Sequence, residues 1–339
     1  MQAMRLIKRA PAENFPLELV HSDIPRPRAG QVLLRVLTCG VCHTDLHIAE
    51  GDLTAPWLPL TLGHQVVAEV EMVGEDVTRF SPGQRVGAPW MHTTCGTCEF
   101  CQRGEENLCK QARFTGFHVD GGFAEFMLAD TQFLLPLPPA LTDLQAAPML
   151  CAGIIGYRAL RLTGLQPGER LGLFGCGASA HLAIQVARYW GCEVYVFTRS
   201  QQHRRHAEEL GAAWAGAAED KPPQLLDRAV SFAPSGKLIP LAREKLRPGG
   251  ALAINAVYSS PIPEMRYELL YGERTLRSVA NATHQDGLEF IRLAADIPLT
   301  ASVTEYPLED ANEALLDVKN AALNGQAVLR LAQSLSKMY

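Results

Sequence analysis

The order of apolar and polar residues divides this chain into two parts. Up to about residue 150, short apolar runs are separated at short intervals by Gly, Pro and other turn-forming residues. This pattern predicts a compact, mostly antiparallel β region. The runs are QVLLRVLTCGV, QVVAEVEMV, RVGAP and AEFMLA. The opening MQAMRLIKRA alternates in the manner of a further strand.

From about residue 152, apolar strand-like runs alternate with helical stretches. They are RLGLFG, ASAHLAIQVARYW, CEVYVFT, QQHRRHAEEL, RAVSFA, KLIPLAREKL and ALAINAV. The alternation predicts βαβ units, and hence a parallel sheet with helices on both faces. We expect Gly191 and Pro248-Gly249-Gly250 to end helices. After about residue 280, a helical stretch, the strand-like SVTEYPL, a helix from Glu309 and the apolar AVLRLA follow.

Composition limits the class of protein. The 339 residues, 47% hydrophobic and 20% charged, are enough for two domains. A net charge of −5 gives no indication of a nucleic-acid or anionic-membrane partner. No uncharged apolar run approaches the ~18 residues of a spanning helix, and the N-terminus lacks a signal-peptide core. Nine cysteines, most at ligand spacing, favour the reducing cytoplasm.

Four cysteines form one short cluster with the spacing C-x2-C-x2-C-x7-C. They are Cys95, Cys98, Cys101 and Cys109. A zinc ribbon would separate its pairs by roughly 15–20 residues, and a bacterial iron–sulfur run would end in Cys-Pro, whereas Lys110 follows here. Four thiolates fill all positions on Zn²⁺, so the pattern predicts a structural zinc site rather than four free thiols.

A second constellation has fewer ligands. The segment GVCHTDLH contains Cys42, His64 follows a glycine in LGHQ, and Cys151 lies in APMLCAG. Singly, His64 is an ordinary core or surface histidine and Cys151 a small buried residue. Together they supply a Cys₂His set that leaves one position of a tetrahedral zinc open, as a catalytic site requires.

A glycine-rich turn points to a dinucleotide. RLGLFGCGASAHLAIQVARYW reads as a strand, a tight turn and a helix, with the fingerprint Gly175-x-Gly177-x-x-Ala180. An NAD enzyme places an Asp or Glu about 20 residues further on, to bind the ribose 2′-hydroxyl. This chain has TRSQQHRR instead, which favours the 2′-phosphate of NADP(H). The candidate contacts are Thr198, Arg199, His203 and Arg204; the alternative is a solvated basic helix start.

These motifs, in this order and at these distances, resemble the zinc-dependent medium-chain alcohol dehydrogenases of the medium-chain dehydrogenase/reductase superfamily, over nearly the whole chain. The resemblance implies an α/β fold with two domains. Residues 1–151 and 280–339 would form a GroES-like, mostly β catalytic domain with a structural zinc lobe near 92–112. Residues 152–279 would form a Rossmann domain with a doubly wound parallel sheet.

The resemblance also implies roles for single residues. Cys42, His64 and Cys151 would bind the catalytic zinc, Thr44 and His47 would relay a proton, and Asp45 would orient a ligand imidazole. Thr44 or Asp45 could instead cap a helix beginning near Leu46. The remaining implied contacts are His43 with the cofactor pyrophosphate, and Leu53 and Trp90 with substrate, with Trp57 nearby.

Three positions depart from the family pattern. Gln65 stands where an acidic residue is common, Ile155 where a threonine often touches the nicotinamide, and Gln326 where relatives often have a pyrophosphate-binding arginine. The function that the resemblance implies is reversible hydride transfer between a primary or secondary alcohol and NAD(P)⁺, with two zinc ions per chain and NADP(H) favoured over NAD(H). Cys151 points to alcohols rather than polyols, whose dehydrogenases tend to use a carboxylate there.

Other interpretations remain open on the sequence alone. One is a non-catalytic, zinc-stabilised protein that retains this fold, and another is a polyol- or quinone-type relative in the same superfamily. A quinone reductase would normally lack Cys42, His64 and the four-cysteine lobe. The expected partner is a small alcohol or aldehyde, with no nucleic acid or membrane, in a homodimer or homotetramer.

Overall fold

The computed structural model describes residues 1–297, 299–323 and 325–331. Contacts between these residues group them into two units. The first unit contains Met1–Cys151, Asn281–Asp296 and the segment from Ala301. The second contains Ala152–Ala280 with Ile297, Leu299 and Thr300.

The strands within the described residues are, in chain order, β1 (Gln2–Leu6), β2 (Leu17–His21), β3 (Gln31–Val41), β4 (Leu60–Thr61), β5 (Val66–Val73), β6 (Arg85–Ala88), β7 (Met91–Thr93), β8 (Arg113–Phe114), β9 (Phe126–Asp130), β10 (Leu135–Pro136), β11 (Arg170–Phe174), β12 (Glu193–Phe197), β13 (Trp214–Gly216), β14 (Leu226–Ser231), β15 (Leu246–Ile254), β16 (Thr275–Ser278), β17 (Val303–Pro307) and β18 (Gln326–Arg330).

The α-helices are α1 (His43–Glu50), α2 (Glu99–Gln102), α3 (Asp143–Pro148), α4 (Ile154–Thr163), α5 (Ala178–Tyr189), α6 (Gln201–Glu209), α7 (Leu238–Glu244), α8 (His284–Asp296) and α9 (Ala311–Lys319). Among the described residues, no helix combines the length and the apolar composition needed to cross a membrane.

The first unit is built around the long strand β3. Its sequence, QVLLRVLTCGV, pairs antiparallel with β5, β9 and β18. The main sheet has the order β10-β6-β5-β3-β18-β17 in the described chain, and only β17 and β18 run parallel to each other. Most side chains of β3 are buried, because this strand lies in the middle of the sheet. The predicted, mostly antiparallel region is confirmed, and β3 ends directly before Cys42.

The second unit contains the predicted parallel sheet. Its order in the described residues is β13-β12-β11-β14-β15-β16, with every pair parallel. Counted from β11, this is the 3-2-1-4-5-6 order of a doubly wound nucleotide-binding sheet. Phe174 and Phe197 end β11 and β12 and stack with ring centroids 4.2 Å apart in the core. The doubly wound fold class expected from the sequence is confirmed.

Two helix boundaries differ from the prediction. The helix that was expected to end at Pro248-Gly249-Gly250 ends earlier, at Glu244, and these three residues belong to β15. The N–H of Gly249 donates to Gly272 O at 2.7 Å instead of capping a helix. In the C-terminal part, Leu308–Asp310 form a 3₁₀ turn and the α-helix begins at Ala311.

Candidate active site

Three separate segments bring Cys42, His64 and Cys151 together. Cys42 follows β3, His64 lies shortly before β5, and Cys151 lies in a π-helical turn, Met149–Gly153. Their ligand atoms all lie within 4.8 Å of one another, and Cys42 Sγ is 3.3 Å from His64 Nε2. Zn–S and Zn–N bonds of about 2.3 and 2.1 Å give a tetrahedral edge near 3.6 Å, so the donor set fits zinc. π-helical turns recur at functional sites, and the sequence pattern did not indicate this one.

Asp45 holds the imidazole of His64. Its carboxylate is fully buried, and Oδ1 accepts hydrogen bonds from His64 Nδ1 and from the Gly63 N–H, both at 3.1 Å. With the carboxylate ionised, Nδ1 carries the proton and Nε2, which points at Cys42 Sγ, is left as the ligand atom. The structure therefore places Asp45 where the sequence analysis expected it.

The helix that carries this acid begins earlier than predicted. α1 starts at His43, with Cys42 as its N-cap: Cys42 Sγ accepts from the Thr44 N–H at 3.3 Å. Asp45 Oδ2 accepts in turn from the Cys42 N–H at 3.0 Å, which completes a reciprocal capping box. Neither Thr44 nor Asp45 is the N-cap of a helix near Leu46, because both lie within the first turn, but Asp45 does take part in capping through this box.

The electrostatic environment of this site favours the binding of a cation. A hydrogen bond with Cys151, followed by burial, raises the pKa of Cys42 well above its usual range. Burial lowers the pKa of His64, but the charge and the hydrogen bond of Asp45 outweigh it and hold this pKa well above its usual range. Without a metal these groups hold protons, and a divalent cation would displace them.

Thr44 and His47 lie one helical turn apart on α1. Thr44 is half-buried in the first turn. His47 Nδ1 is 2.9 Å from Asp52 Oδ2, and the two side chains are 27% and 62% exposed, so His47 reaches solvent. Sequence reasoning missed Asp52; the available signal was Gly51, whose φ of +98° ends α1 and turns the chain back towards His47. His43, at the start of the helix, is exposed.

Trp90 packs directly against His64. Its ring meets that of His64 edge-on at 5.0 Å and stacks on Phe114 at 4.8 Å. Its Nε1–H donates to Asn281 Oδ1 at 3.1 Å, which fixes the indole. Leu53 is partly buried against the core of the first unit, whereas Trp57 is exposed. Trp90 is thus the aromatic side chain that the structure brings to this site.

The four-cysteine cluster forms a compact group of sulfur atoms. Cys95 Sγ lies 3.9 Å from Cys101 Sγ and 3.6 Å from Cys109 Sγ, and Cys98 Sγ lies 3.5 Å from Cys101 Sγ. A tetrahedron with Zn–S bonds of about 2.3 Å has edges near 3.8 Å. The four sulfurs therefore match the geometry of one closed zinc site.

Backbone amides prepare these sulfurs to carry negative charge. The Cys98 N–H donates to Cys95 Sγ at 3.3 Å, and the Gln111 N–H donates to Cys109 Sγ at 3.4 Å. Backbone N–H groups of Thr97 and Cys98 lower the pKa of Cys95 to about 6, whereas burial raises that of Cys101 to about 11. Cys95 is therefore a thiolate at neutral pH before any metal binds.

In the second unit, the glycine-rich turn joins β11 to α5. Gly175 has φ +100°, and a Cβ there would lie 3.0 Å from Ala233 N, so this position requires glycine. At Gly177, the N-cap of α5, a Cβ would meet nothing within 4 Å, and no side chain caps the helix. Ala180 is fully buried in α5. The open helix N-terminus above Gly177 suits a diphosphate.

The residues after β12 form a basic turn. Arg204 Nε donates to Thr198 O at 2.9 Å, and Ser200 Oγ caps α6 by accepting from the His203 N–H at 3.3 Å. Arg199 is exposed between them. Burial, followed by the charge of His206, lowers the pKa of His203. The sequence did not predict the hydrogen bond from Arg204 to Thr198 O or the helix cap by Ser200.

Comparison with known proteins gives a consistent result. Residues 28–139 match the alcohol dehydrogenase GroES-like domain family. The chain is 45% identical over 335 residues to "Probable alcohol dehydrogenase AdhA" of Mycobacterium tuberculosis (strain CDC 1551 / Oshkosh), with 97% of each chain covered. It is 34% identical to an alcohol dehydrogenase of Geobacillus stearothermophilus, covering 96% of this chain and 100% of that one.

A solved structure extends the likeness to the whole fold. The cinnamyl alcohol dehydrogenase SbCAD4 from Sorghum bicolor superposes with a TM-score of 0.90 and 26% identity, over 100% of this chain and 99% of that chain. This similarity and the 45% identity over nearly the full length leave the family in no doubt. The chain belongs to the zinc-type medium-chain alcohol dehydrogenase family.

Proposed function

We propose that this protein catalyses reversible hydride transfer between a primary or secondary alcohol and a nicotinamide cofactor, with zinc bound by Cys42, His64 and Cys151. The observation that carries the proposal is the convergence of these three ligand atoms within 4.8 Å, with His64 oriented by a buried carboxylate. The relatives named as alcohol dehydrogenases, at 45% and 34% identity, support it.

Each side chain around the proposed metal would have a separate role. Zinc held by Cys42, His64 and Cys151 would supply the Lewis-acid chemistry that lowers the pKa of an alcohol hydroxyl. The Thr44 hydroxyl would take that proton from the alcohol, and His47 would receive it. His47 releases the proton to solvent, and its contact with Asp52 orients the ring. Asp45 holds the tautomer of His64 in which Nε2 binds the metal.

We further propose that the second unit binds NADP(H) in preference to NAD(H). The turn from Gly175 to Gly177 and the N-terminus of α5 would hold the diphosphate. The 2′-phosphate would be bound by Thr198, Arg199 and His203. The exposed guanidinium of Arg199, together with the absence of a carboxylate between Thr198 and Arg204 in the sequence, supports this preference.

The proposed substrates are small, largely apolar alcohols and the corresponding aldehydes. Trp90 and Leu53 would line the pocket, since Trp90 already contacts the ligand His64. We propose two zinc ions per chain, the second in the four-cysteine lobe, and a homodimer or homotetramer. Exposed Tyr258, Tyr267 and Tyr271 give the second unit an apolar surface that would suit self-association.

Turnover of a short aliphatic aldehyde tests the activity. NADPH and NADH are compared with the wild-type protein and with Arg199→Asp. We expect NADPH to be preferred, and the substitution to raise the KM for NADPH about tenfold or more, with little change for NADH, because it replaces a charge-assisted contact by repulsion. Arg205→Asp, at an exposed position of the helix α6 that follows Arg199, is the matched control. An unchanged cofactor preference in Arg199→Asp would overturn the NADP assignment.

A further inference from the structure

Two of the positions that depart from the family pattern are hydrogen-bonded to each other. Gln326 Nε2 donates to Gln65 Oε1 at 2.6 Å, across 261 residues of sequence. Both side chains are buried, with 0% of Gln65 and 3% of Gln326 exposed. A contact between two departures indicates that they form one feature rather than two unrelated substitutions.

The pair joins the segments that carry two of the metal ligands. Gln65 follows His64, and its backbone O accepts from the Gly40 N–H at 3.0 Å. Its side chain fills the space beside Gly40, where an added Cβ would lie 3.0 Å from it. Gln326 begins β18, and its Nε2 also lies 3.4 Å from Val41 O, directly before Cys42. The two amides therefore fasten the His64 segment to the end of β3.

The orientation of the amides is fixed, and it leaves two atoms unpaired. If the amide of Gln326 were reversed, its oxygen would face Val41 O, so Nε2 must point there. As a result, Gln65 Nε2 and Gln326 Oε1 have no hydrogen-bond partner among the described residues. An unpaired buried polar atom is costly, and apolar side chains at these two positions would avoid that cost. The pair therefore contributes hydrogen bonds between the two segments rather than a gain from burial.

We propose that Gln65 and Gln326 are positioning residues: an uncharged pair that sets the spacing between Cys42 Sγ and His64 Nε2 and so retains the zinc ion of the active site. The inference rests on the zinc site of the proposed function. The two amides hold the ligand segments together without placing a full charge beside the metal. An acid and an arginine at these positions would also hold the segments together, but they would place a negative and a positive charge there.

Zinc release tests this proposal without reference to turnover. Purified full-length protein is mixed with a chromophoric chelator, and the release of each zinc is timed for wild type, Gln65→Met and Gln326→Met, which keep side-chain volume but remove the hydrogen bond. We expect one zinc to leave about tenfold faster in both variants, the usual cost of losing an outer support of a metal site. The zinc of the four-cysteine lobe should leave at the wild-type rate and serves as an internal standard.

Asn312→Leu is the matched control. Asn312 is a buried amide of the same unit that accepts from Leu17 N and donates to Leu17 O, at 3.0 and 2.9 Å. Its replacement should lower the melting temperature and leave both release rates unchanged. Faster loss of the active-site zinc in this control, equal to that in Gln326→Met, would reduce the effect to general destabilisation and overturn the proposal.

A charge exchange tests the coupling of the pair. Gln65→Glu and Gln326→Arg each bury an unpaired charge and should accelerate zinc release, whereas the double variant restores a partner and should return towards the wild-type rate. If the single effects simply multiply in the double variant, the two residues do not act as a pair. Two zincs with unchanged release in both methionine variants would overturn this inference alone. A wild-type protein that holds only the lobe zinc would overturn the proposed function as well.

Discussion

The two thiol clusters of the first unit contain the same kind of ligand but are assembled in different ways. Cys95 to Cys109 lie within a single loop, whose own backbone N–H groups point at the sulfurs. Cys42, His64 and Cys151 come from three separate segments, and their geometry depends on β3, on the buried Asp45 and on a π-helical turn. A cluster of four ligands within one segment can therefore stabilise a fold. A cluster of three ligands from separate segments can form only when the fold is already in place.

The largest effect is expected from removing a ligand of the three-residue site. Cys42→Ala or His64→Ala should lower kcat/KM at least about a thousandfold, because Lewis-acid stabilisation is worth several kcal/mol. One zinc per chain should remain. Cys42 is also the N-cap of α1, so Cys42→Ser, which keeps a capping oxygen, separates loss of the ligand from loss of the cap. Near-wild-type turnover in Cys42→Ala would contradict the proposed mechanism.

Removal of a lobe ligand should affect stability first. Cys98→Ser should release one zinc and lower the melting temperature by roughly 10 °C, the shift that several kcal/mol produce in a domain of this size. Calorimetry and zinc analysis check this expectation. Below its melting temperature, the folded variant should retain most of its turnover per remaining zinc. Loss of turnover without loss of stability would assign a catalytic role to the lobe and break the comparison.

Asp45→Asn tests a difference between the two clusters. Asp45 contacts His64 of the three-residue site, whereas the contacts described for the lobe sulfurs include no carboxylate. We expect about a 10- to 100-fold loss of zinc affinity or activity, because the neutral amide no longer supports the His64 tautomer. Asp120→Asn is the control: its Oδ1 also accepts a backbone N–H, from Thr61 at 2.8 Å, but its ion pair is with Arg5 and not with an imidazole. Equal effects of the two substitutions would show that Asp45 acts only on the backbone.

The smallest expected effect is a difference in thiol reactivity in zinc-free protein. Cys95, with its pKa lowered to about 6, is a thiolate at neutral pH and should react fastest with iodoacetamide. Its rate should fall as the pH drops through about 6, since protonation removes the nucleophile. Cys42, whose pKa is raised by Cys151 and by burial, should react slowly over the same range. Mass spectrometry of the labelled peptides measures both rates, and equal labelling of Cys95 and Cys42 would contradict this expectation.

The sequence predicted what is encoded locally or by a repeating pattern. The four-cysteine spacing, the parallel sheet and the glycine turn at Gly175 each depend on short stretches, and the structure contains all three. The convergence of Cys42, His64 and Cys151 was expected from their ligand types and from the family resemblance, since no periodicity relates residues so far apart. The contact between Gln65 and Gln326 was beyond reach, because each appeared on its own as a departure from the family pattern.

Helix boundaries show the same limit. A cysteine is not a preferred N-cap, so Cys42 was not recognised as the cap of α1; its thiol takes that role because Asp45 completes the capping box. The Pro-Gly-Gly segment was interpreted as a helix end from its composition, yet it lies within β15, between Leu246 and Ala251, which both pair with β14. In each case a tertiary contact overrides a local preference.

The main conclusion is that the three-residue site is catalytic and the four-cysteine lobe is structural. Its sharpest test measures zinc content and NADPH-dependent aldehyde reduction in wild type, Cys42→Ser and Cys98→Ser. We expect two zincs and full turnover in wild type, and one zinc and no turnover in Cys42→Ser. Cys98→Ser should hold one zinc and keep turnover, with lower stability. Turnover that survives in Cys42→Ser while it is lost in Cys98→Ser would reverse the roles of the two clusters and contradict the account.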